Sequence, residues 1–416
     1  MPELRALLEE SFRAAVAAAD PLKILAAHLP PPPRGRTFVA AAGKAAAAMA
    51  AAVERHWQGE LSGIAITRYE HGVPTNRIRV VEAGHPVPDE AGERAAAEIL
   101  AAVRALGEED LLLALLSGGG SSLLSLPARE VPMADLKRVT SQLLKSGAAI
   151  QEMNTVRKHL SAIHGGRLAA ASRASVVALI ISDVTGDDPT HIASGPCAPD
   201  PTTYADAREI LARYRVEPPA TVKARLEKAA DETPKPGDPA FARVENRVIA
   251  SAHHSLEAAA ALFERAGVQP VILGDTVTGE AAEVAKVMAA LVREIRTHAQ
   301  PWAPPVALIS GGECTVTVHA HQENEGGRGG RCAEFLLSLG IETGGVWAIA
   351  ADTDGVDGTE DNAGAILTPD SMQRGRDGKA MLARHDSYGF FAALGDLVVT
   401  GPTRTNVNDY RAIVVT

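Results

Sequence analysis

Short apolar runs alternate with helical stretches through most of the chain. Residues 37–42, TFVAAA, make a run of strand length that stops at Gly43-Lys44, and an alanine-rich helical stretch follows over 45–57. The pattern predicts further strands at 63–67, 78–83, 110–116 and 176–181, with helices at 90–106, 133–145 and 149–163. The rhythm resumes later, with strands at 247–251, 270–273, 306–309, 346–351 and 397–400 and helices at 255–266, 280–296 and 333–339. Strands alternating with helices give a parallel sheet covered on both faces. Such sheets bind ligands at the carboxyl ends of their strands, and there the glycines and short polar residues of this chain collect. Residues 233–239, TPKPGDP, hold three prolines in seven positions and read as a linker between two α/β halves.

Composition narrows the class. With 46% hydrophobic and 22% charged residues over 416 positions, the chain has the material for a folded core. A net charge of -10 gives no basic excess to displace counterions, so nucleic acid is not an expected partner. No apolar run approaches the roughly 20 residues of a membrane helix, so no membrane partner is expected either. Cys197, Cys314 and Cys332 lie far apart and show neither zinc spacing nor a disulfide framework. The first twenty residues form an amphipathic helical pattern carrying acids, unlike a signal peptide. A cytoplasmic location is expected.

The candidate chemistry lies in strand-end loops. Gly43-Lys44 lacks the flanking residues of a Walker A loop, and no GxGxxG, GxSxG or HExxH string occurs. At 117–122, three glycines stand between serines; bare backbone there can turn several N–H groups toward a phosphate chain, where a tight turn alone would need one glycine. Residues 326–331, GGRGGR, precede a helix and suit a phosphate or carboxylate, with a solvated surface loop as the alternative. Residues 351–358, ADTDGVDG, set three acids at a strand end, for metal binding or proton acceptance, or else for Asx-turns and a helix cap. Asp183, Asp187 and Asp188 open another polar loop after a buried run. Lys44 has the wrong sign for the start of its helix, which points to an anionic ligand. Asn154, Lys158 and His159 share one helix face, either as a site or as a solvated surface. The loop 401–409, GPTRTNVND, looks like a site loop or an elaborate turn.

Taken together, Gly43-Lys44, SGGGSS at 117–122, RKHLSAIHGGRLA from Arg157, SDVTGDDPTHIASGP from Ser182, SGGE at 310–313, GRGGR at 327–331, ADTDGVDG and GPTRTNVND resemble the type-2 glycerate kinase family, whose C-terminal part is the MOFRL domain. The resemblance runs from about residue 22 to the end. It implies two three-layer α/β/α domains with mainly parallel sheets, the first Rossmann-like, with the active site in the cleft between them. The expected division is an N-terminal domain at 1–235 and a C-terminal domain at 240–416, the latter holding the MOFRL region at about 304–412. The chain departs from the family pattern at Cys332, where Asn is common, and at Arg404, where a small residue is common.

The resemblance further implies ATP-dependent phosphorylation of D-glycerate at its 2-hydroxyl, with Mg2+ or another divalent metal. It places catalytic roles on Lys44 and Arg331, and we add Asp187 as the acid that takes the hydroxyl proton. Ser117, Gly118, Gly119, Gly120, Ser121 and Ser122 are assigned to the nucleotide, with Gly311, Gly312 and Glu313. Lys158, Asp183, Thr185, Arg404, Asn406 and Asn408 are assigned to glycerate, and Asp352 and Asp354 to the metal. The expected partners are glycerate and ATP, with room for a homodimer. Two other readings stand beside this one. Relatives labelled hydroxypyruvate reductase suggest an NAD(P)H-dependent enzyme, though no dinucleotide fingerprint is visible, and a fold that had lost its chemistry would be a non-catalytic binder of small acids.

Overall fold

The computed structural model describes residues 2–318 and 327–416. The chain divides into two compact units, Pro21–Ile249 and a second that joins the N-terminal stretch up to Asp20 to Ala250–Thr416. Among the described residues no helix is long and apolar enough to cross a membrane.

The first unit is built on six strands: β1 (Thr37–Ala42), β2 (Leu61–Arg68), β3 (Ile78–Ala83), β4 (Leu111–Leu116), β5 (Ser175–Ile181) and β6 (Val244–Ala250), in the order β3-β2-β1-β4-β5-β6. Pairing from β3 through to β5 is parallel throughout. β1 and β4 are buried at every position, because helices cover both faces of the sheet. Ala42 pairs with Leu116, so the turns leaving β1 and β4 emerge side by side. Helix starts follow local chemistry: Asp89 accepts from the Gly92 N–H at 3.0 Å, and Glu90 and Glu93 complement the first turn of Glu90–Arg104. Four further helices, Met133–Lys145, Ile150–His159, Tyr204–Arg213 and Ala220–Lys228, share a separate core around Leu136, Val139, Val156 and Leu211.

The second unit contains β7 (Gln269–Gly274), β8 (Gly279–Glu280), β9 (Val306–Ser310), β10 (Cys314–Thr315), β11 (Trp347–Asp352), β12 (Gly364–Leu367), β13 (Leu397–Val398) and β14 (Asp409–Val415). Its main sheet runs β13-β12-β11-β14-β9-β7, and β8 pairs with β10 apart from it. Here the expectation of mainly parallel pairing needs correction. Only β7 and β9 run parallel in the main sheet; the other neighbours are antiparallel. A loop without a helix, 353–363, joins β11 to β12, and a parallel pair needs a crossover that such a loop cannot supply.

Both boundaries expected from the sequence also shift. The helix Pro2–Ala18 lays Leu8, Phe12 and Ala15 into a core with Phe263, Ile349 and Tyr410, so it covers the second sheet. Tyr410 Oη donates to Ser11 Oγ at 2.8 Å in the same contact. The proline-rich stretch 233–239 is part of the first unit: Thr233 is buried, and the Asp200 N–H donates to the Pro234 carbonyl at 2.9 Å.

Candidate active site

In the first unit the turns after β1 and β4 lock together. The Lys44 N–H donates to the Gly118 carbonyl at 2.8 Å, and Ser117 Oγ accepts from the Ala45 N–H at 3.0 Å. Gly43 has φ +132, and a Cβ there would strike Ser117, so only glycine lets the two turns meet. Ser117 is thus a buried staple. The loop expected to hold phosphate bends at Gly119, which has φ +80 and lies beside His85 and the stem of Lys44. The N–H groups of Gly118 and Gly119 donate to no carbonyl of the described residues. Gly120 opens the short helix Gly120–Leu123, and Ser122 Oγ donates back to the Gly119 carbonyl at 3.1 Å.

The loop after β5 returns to this place. Asp183 and Asp187 are half-buried and Thr185 exposed. Asp187, Ala193 and Ser194 have φ of 53, 50 and 58, backbone strain of a kind that gathers at functional sites. Ser194 Oγ donates to Ser121 Oγ at 2.8 Å and lies 3.2 Å from Asn154 Oδ1. The helix face of Asn154, Lys158 and His159 is not solvated; all three are buried. Lys158 Nζ meets Asp200 Oδ1 at 3.3 Å, and burial of the Asp200 carboxyl is outweighed by that ammonium, which holds its pKa low. Lys158, expected among the glycerate ligands, is committed to an internal ion pair. Beside it, burial and the charges of Arg157 and Lys158 pull the His164 pKa down to about 3.

In the second unit Arg331 begins the helix Arg331–Thr343, its Cα following Gly330 at the N-cap. Its Nε donates to Asp409 Oδ1 at 2.8 Å, and its Nη2 to Asp352 Oδ2 at 2.6 Å with Glu313 Oε1 at 3.4 Å. Nη1 has no partner among the described residues. Burial disfavours the charge, but Asp409 and Asp352 outweigh it and raise the Arg331 pKa. Behind them Arg411, buried in β14, donates to Asp409 Oδ2 at 2.7 Å and to the Gly311 carbonyl at 3.0 Å. The cluster therefore unites Arg331, Asp352, Gly311, Gly312 and Glu313, while Lys44 and the loop 117–122 belong to the other unit.

The acids of 351–358 serve partly as the blander reading foresaw. Asp352 Oδ1 accepts from the Asp354 N–H, and Asp354 Oδ1 from the Val356 N–H, both at 2.9 Å, which are Asx-type turns. Asp357 caps the Arg331 helix through the Cys332 and Ala333 N–H groups at 3.0 and 2.9 Å. Burial pushes its pKa up to about 6 against those bonds. No three His, Cys, Asp or Glu side chains among the described residues are grouped to hold a metal ion alone. Around Arg331 three carboxylates face two guanidinium groups, and a surplus of that sign suits Mg2+ held by one or two carboxylates, phosphate oxygens and water. In the loop 401–409, Asn406 and Asn408 are buried and Arg404 is exposed with φ +63. Gly326, the first glycine of the arginine loop, lies outside the described residues.

Residues 7–227 match the family described as Domain of unknown function (DUF4147), and residues 306–409 match the MOFRL family. The Glycerate 2-kinase of Pyrococcus horikoshii is 41% identical over 92% of this chain and 88% of its own. The chain belongs to the type-2 glycerate kinase family. A crystal structure of a glycerate kinase from Thermotoga maritima, 36% identical, superposes with a TM-score of 0.88 over 100% of both chains. A protein of Agrobacterium vitis that carries the name hydroxypyruvate reductase, given there as provisional, is 54% identical over 99% of this chain and 94% of its own.

Within this family frame, the sequence reading missed several residues. Arg411 was visible as a lone cation in an apolar strand, which a buried strand tolerates only with a partner such as Asp409. His85, Arg157 and Ser194 gave no such signal, because they come together only through the fold.

Proposed function

We propose that the chain is a glycerate 2-kinase that transfers the γ-phosphoryl group of ATP to the 2-hydroxyl of D-glycerate. The observation that carries the reading is the match to the Pyrococcus horikoshii Glycerate 2-kinase along nearly the whole chain. In the reaction the O2–P bond forms while the bond from the γ-phosphorus to the β,γ-bridging oxygen breaks. ADP leaves, and the hydroxyl proton passes to a carboxylate, for which Asp187 is our candidate. Phosphoryl transfer asks for positioning and charge neutralisation more than covalent help. Arg331 is held rigid by Asp409 and Asp352, so its Nη1 donors are aimed in advance at an anion. Lys44 supplies the second positive charge. The Gly118 and Gly119 N–H groups serve the phosphate chain. Asp183, Thr185, Arg404, Asn406 and Asn408 remain the glycerate candidates, and Lys158 leaves that set. Asp352 and Asp354 would hold Mg2+, whose chemistry is to offset phosphoryl charge. Three buried, unpaired thiols suit a reducing cytoplasm.

The test is product identification by 31P NMR after incubation with ATP, Mg2+ and D-glycerate, with 2-phosphoglycerate expected. The name of the Agrobacterium relative supplies the competing reading. NADH oxidation with hydroxypyruvate at a rate rivalling ATP-dependent turnover would overturn ours in its favour.

A further inference from the structure

A cavity of about 310 Å³ opens on the first unit beside the loop 117–122, with Ser122 on its wall. That volume lies at the lower end of small-molecule sites. The apolar side chains of Val87, Pro88, Leu136 and Leu144 form part of its wall. Val87 and Leu144 are 62% and 66% exposed, so the fold leaves this apolar wall open to water. Lys137 and Arg157 also line the cavity, and no Asp or Glu does.

Arg157 identifies the occupant. Its Nη1 donates to Asn154 Oδ1 at 2.8 Å, and no carboxylate pairs with it among the described residues. Surrounding protein pulls its pKa down to about 10. A guanidinium held by a neutral amide in such a setting lacks the anion it is shaped for. Asn154 lies 3.2 Å from Ser194 Oγ, which donates to Ser121, so Arg157 is wired to the loop 117–122. A ligand here needs an apolar planar part for the Val87 and Leu144 wall and an anionic part for Arg157. Glycerate has no apolar face and would leave the wall uncovered; a nucleotide has both parts.

We propose that this cavity seats the base of the nucleotide donor and that Arg157 binds its phosphate chain where it enters the loop 117–122. The proposal rests on the kinase reading above. Calorimetric titration of the full chain with ADP, and separately with tripolyphosphate, tests it. Leu144→Trp fills the apolar part from an exposed position and is expected to weaken ADP at least tenfold while leaving tripolyphosphate unchanged. Arg157→Met is expected to weaken both ligands at least tenfold, and Arg157→Lys to restore part of the loss. ADP affinity within twofold of wild type in Leu144→Trp and Arg157→Met, or no ADP binding to wild type, overturns the proposal. Product formation by wild type separates the two readings. Phosphoglycerate formed while the variants bind ADP normally sinks the cavity and leaves the kinase standing. No phosphoglycerate, with ADP binding lost in the variants, does the reverse.

Discussion

In the first unit the turns after β1 and β4 offer a ligand bare backbone, the Gly118 and Gly119 N–H groups, with Lys44 as the nearby charge. In the second unit the end of β11 and the start of the Arg331 helix offer side-chain charge, with Arg331 locked between Asp352 and Asp409 and braced by Arg411. A backbone site is fixed by sterics, so it fails when a side chain is added. A charge cluster is fixed by mutual compensation, so it fails when a member is removed, and then takes local stability with it. The same type of substitution should therefore act differently in the two regions.

The sharpest way to break the comparison is Arg331→Ala. Turnover should fall roughly a thousandfold or more, as for other charge-stabilising groups at phosphoryl sites. Asp352 and Asp409 are buried and would lose the Arg331 guanidinium, although Asp409 keeps Arg411, so stability should fall too, by up to about 3–5 kcal/mol for a broken buried pair. Steady-state kinetics and thermal melts read both effects. Unchanged melting would mean that the carboxylates hold one another through Arg411 and water instead.

Lys44→Ala is the contrasting case. Its main-chain bond to Gly118 survives the substitution, and the side chain is only half-buried. Activity should drop by about a hundredfold or more while the melting temperature stays within a few degrees. A large loss of stability would place Lys44 in a structural role like that of Lys158.

Next comes a purely steric change. Gly43→Ala should destabilise the first unit by about 1–3 kcal/mol, because the residue needs φ +132 and its Cβ would strike Ser117. Gly119→Ala should cost less stability. Its φ is +80 and its Cβ would meet the movable ring of His85 at 2.8 Å, so the effect should appear mainly as a raised KM for ATP. Equal melting losses in the two variants would show that Gly119 serves only the turn.

The sequence was legible where one physical rule dominates. Strands buried on both faces must be apolar throughout, and β1, β4 and β5 fall within a residue of the runs that predicted them. Strand-end glycines likewise pointed to the loops around Lys44 and Arg331. Strand direction in the second sheet was not legible, because it depends on whether a connection carries a helix, and β12 is too short to announce itself. The helix Pro2–Ala18 showed an apolar stripe but not which sheet the stripe covers. Lys158 looked like a ligand by its motif; its partner, Asp200, is 42 residues away.

The smallest effects, in pH dependence, also divide the two units, and with opposite signs. His164 in the first unit has both ring nitrogens buried, without hydrogen-bond partners among the described residues, and a pKa lowered to about 3. Its folded pKa lies below its ordinary 6.5, so the stability it gives is present above that pH and is lost as pH falls toward 3. Asp357 in the second unit has its pKa raised from 3.8 to about 6. Its contribution is present below 3.8 and is lost as pH rises toward 6, since the folded state prefers the protonated acid. Each slope is at most about 1.4 kcal/mol per pH unit. Urea unfolding of wild type, His164→Gln and Asp357→Asn at pH 4, 5, 6 and 7 separates the two. Relative to wild type, His164→Gln should gain stability as pH falls below 6, and Asp357→Asn should gain it as pH rises from 4 to 6. If the Asp357 difference is flat over that window, the carboxylate is already ionised in the folded chain, and its bonds to the Cys332 and Ala333 N–H groups outweigh its burial.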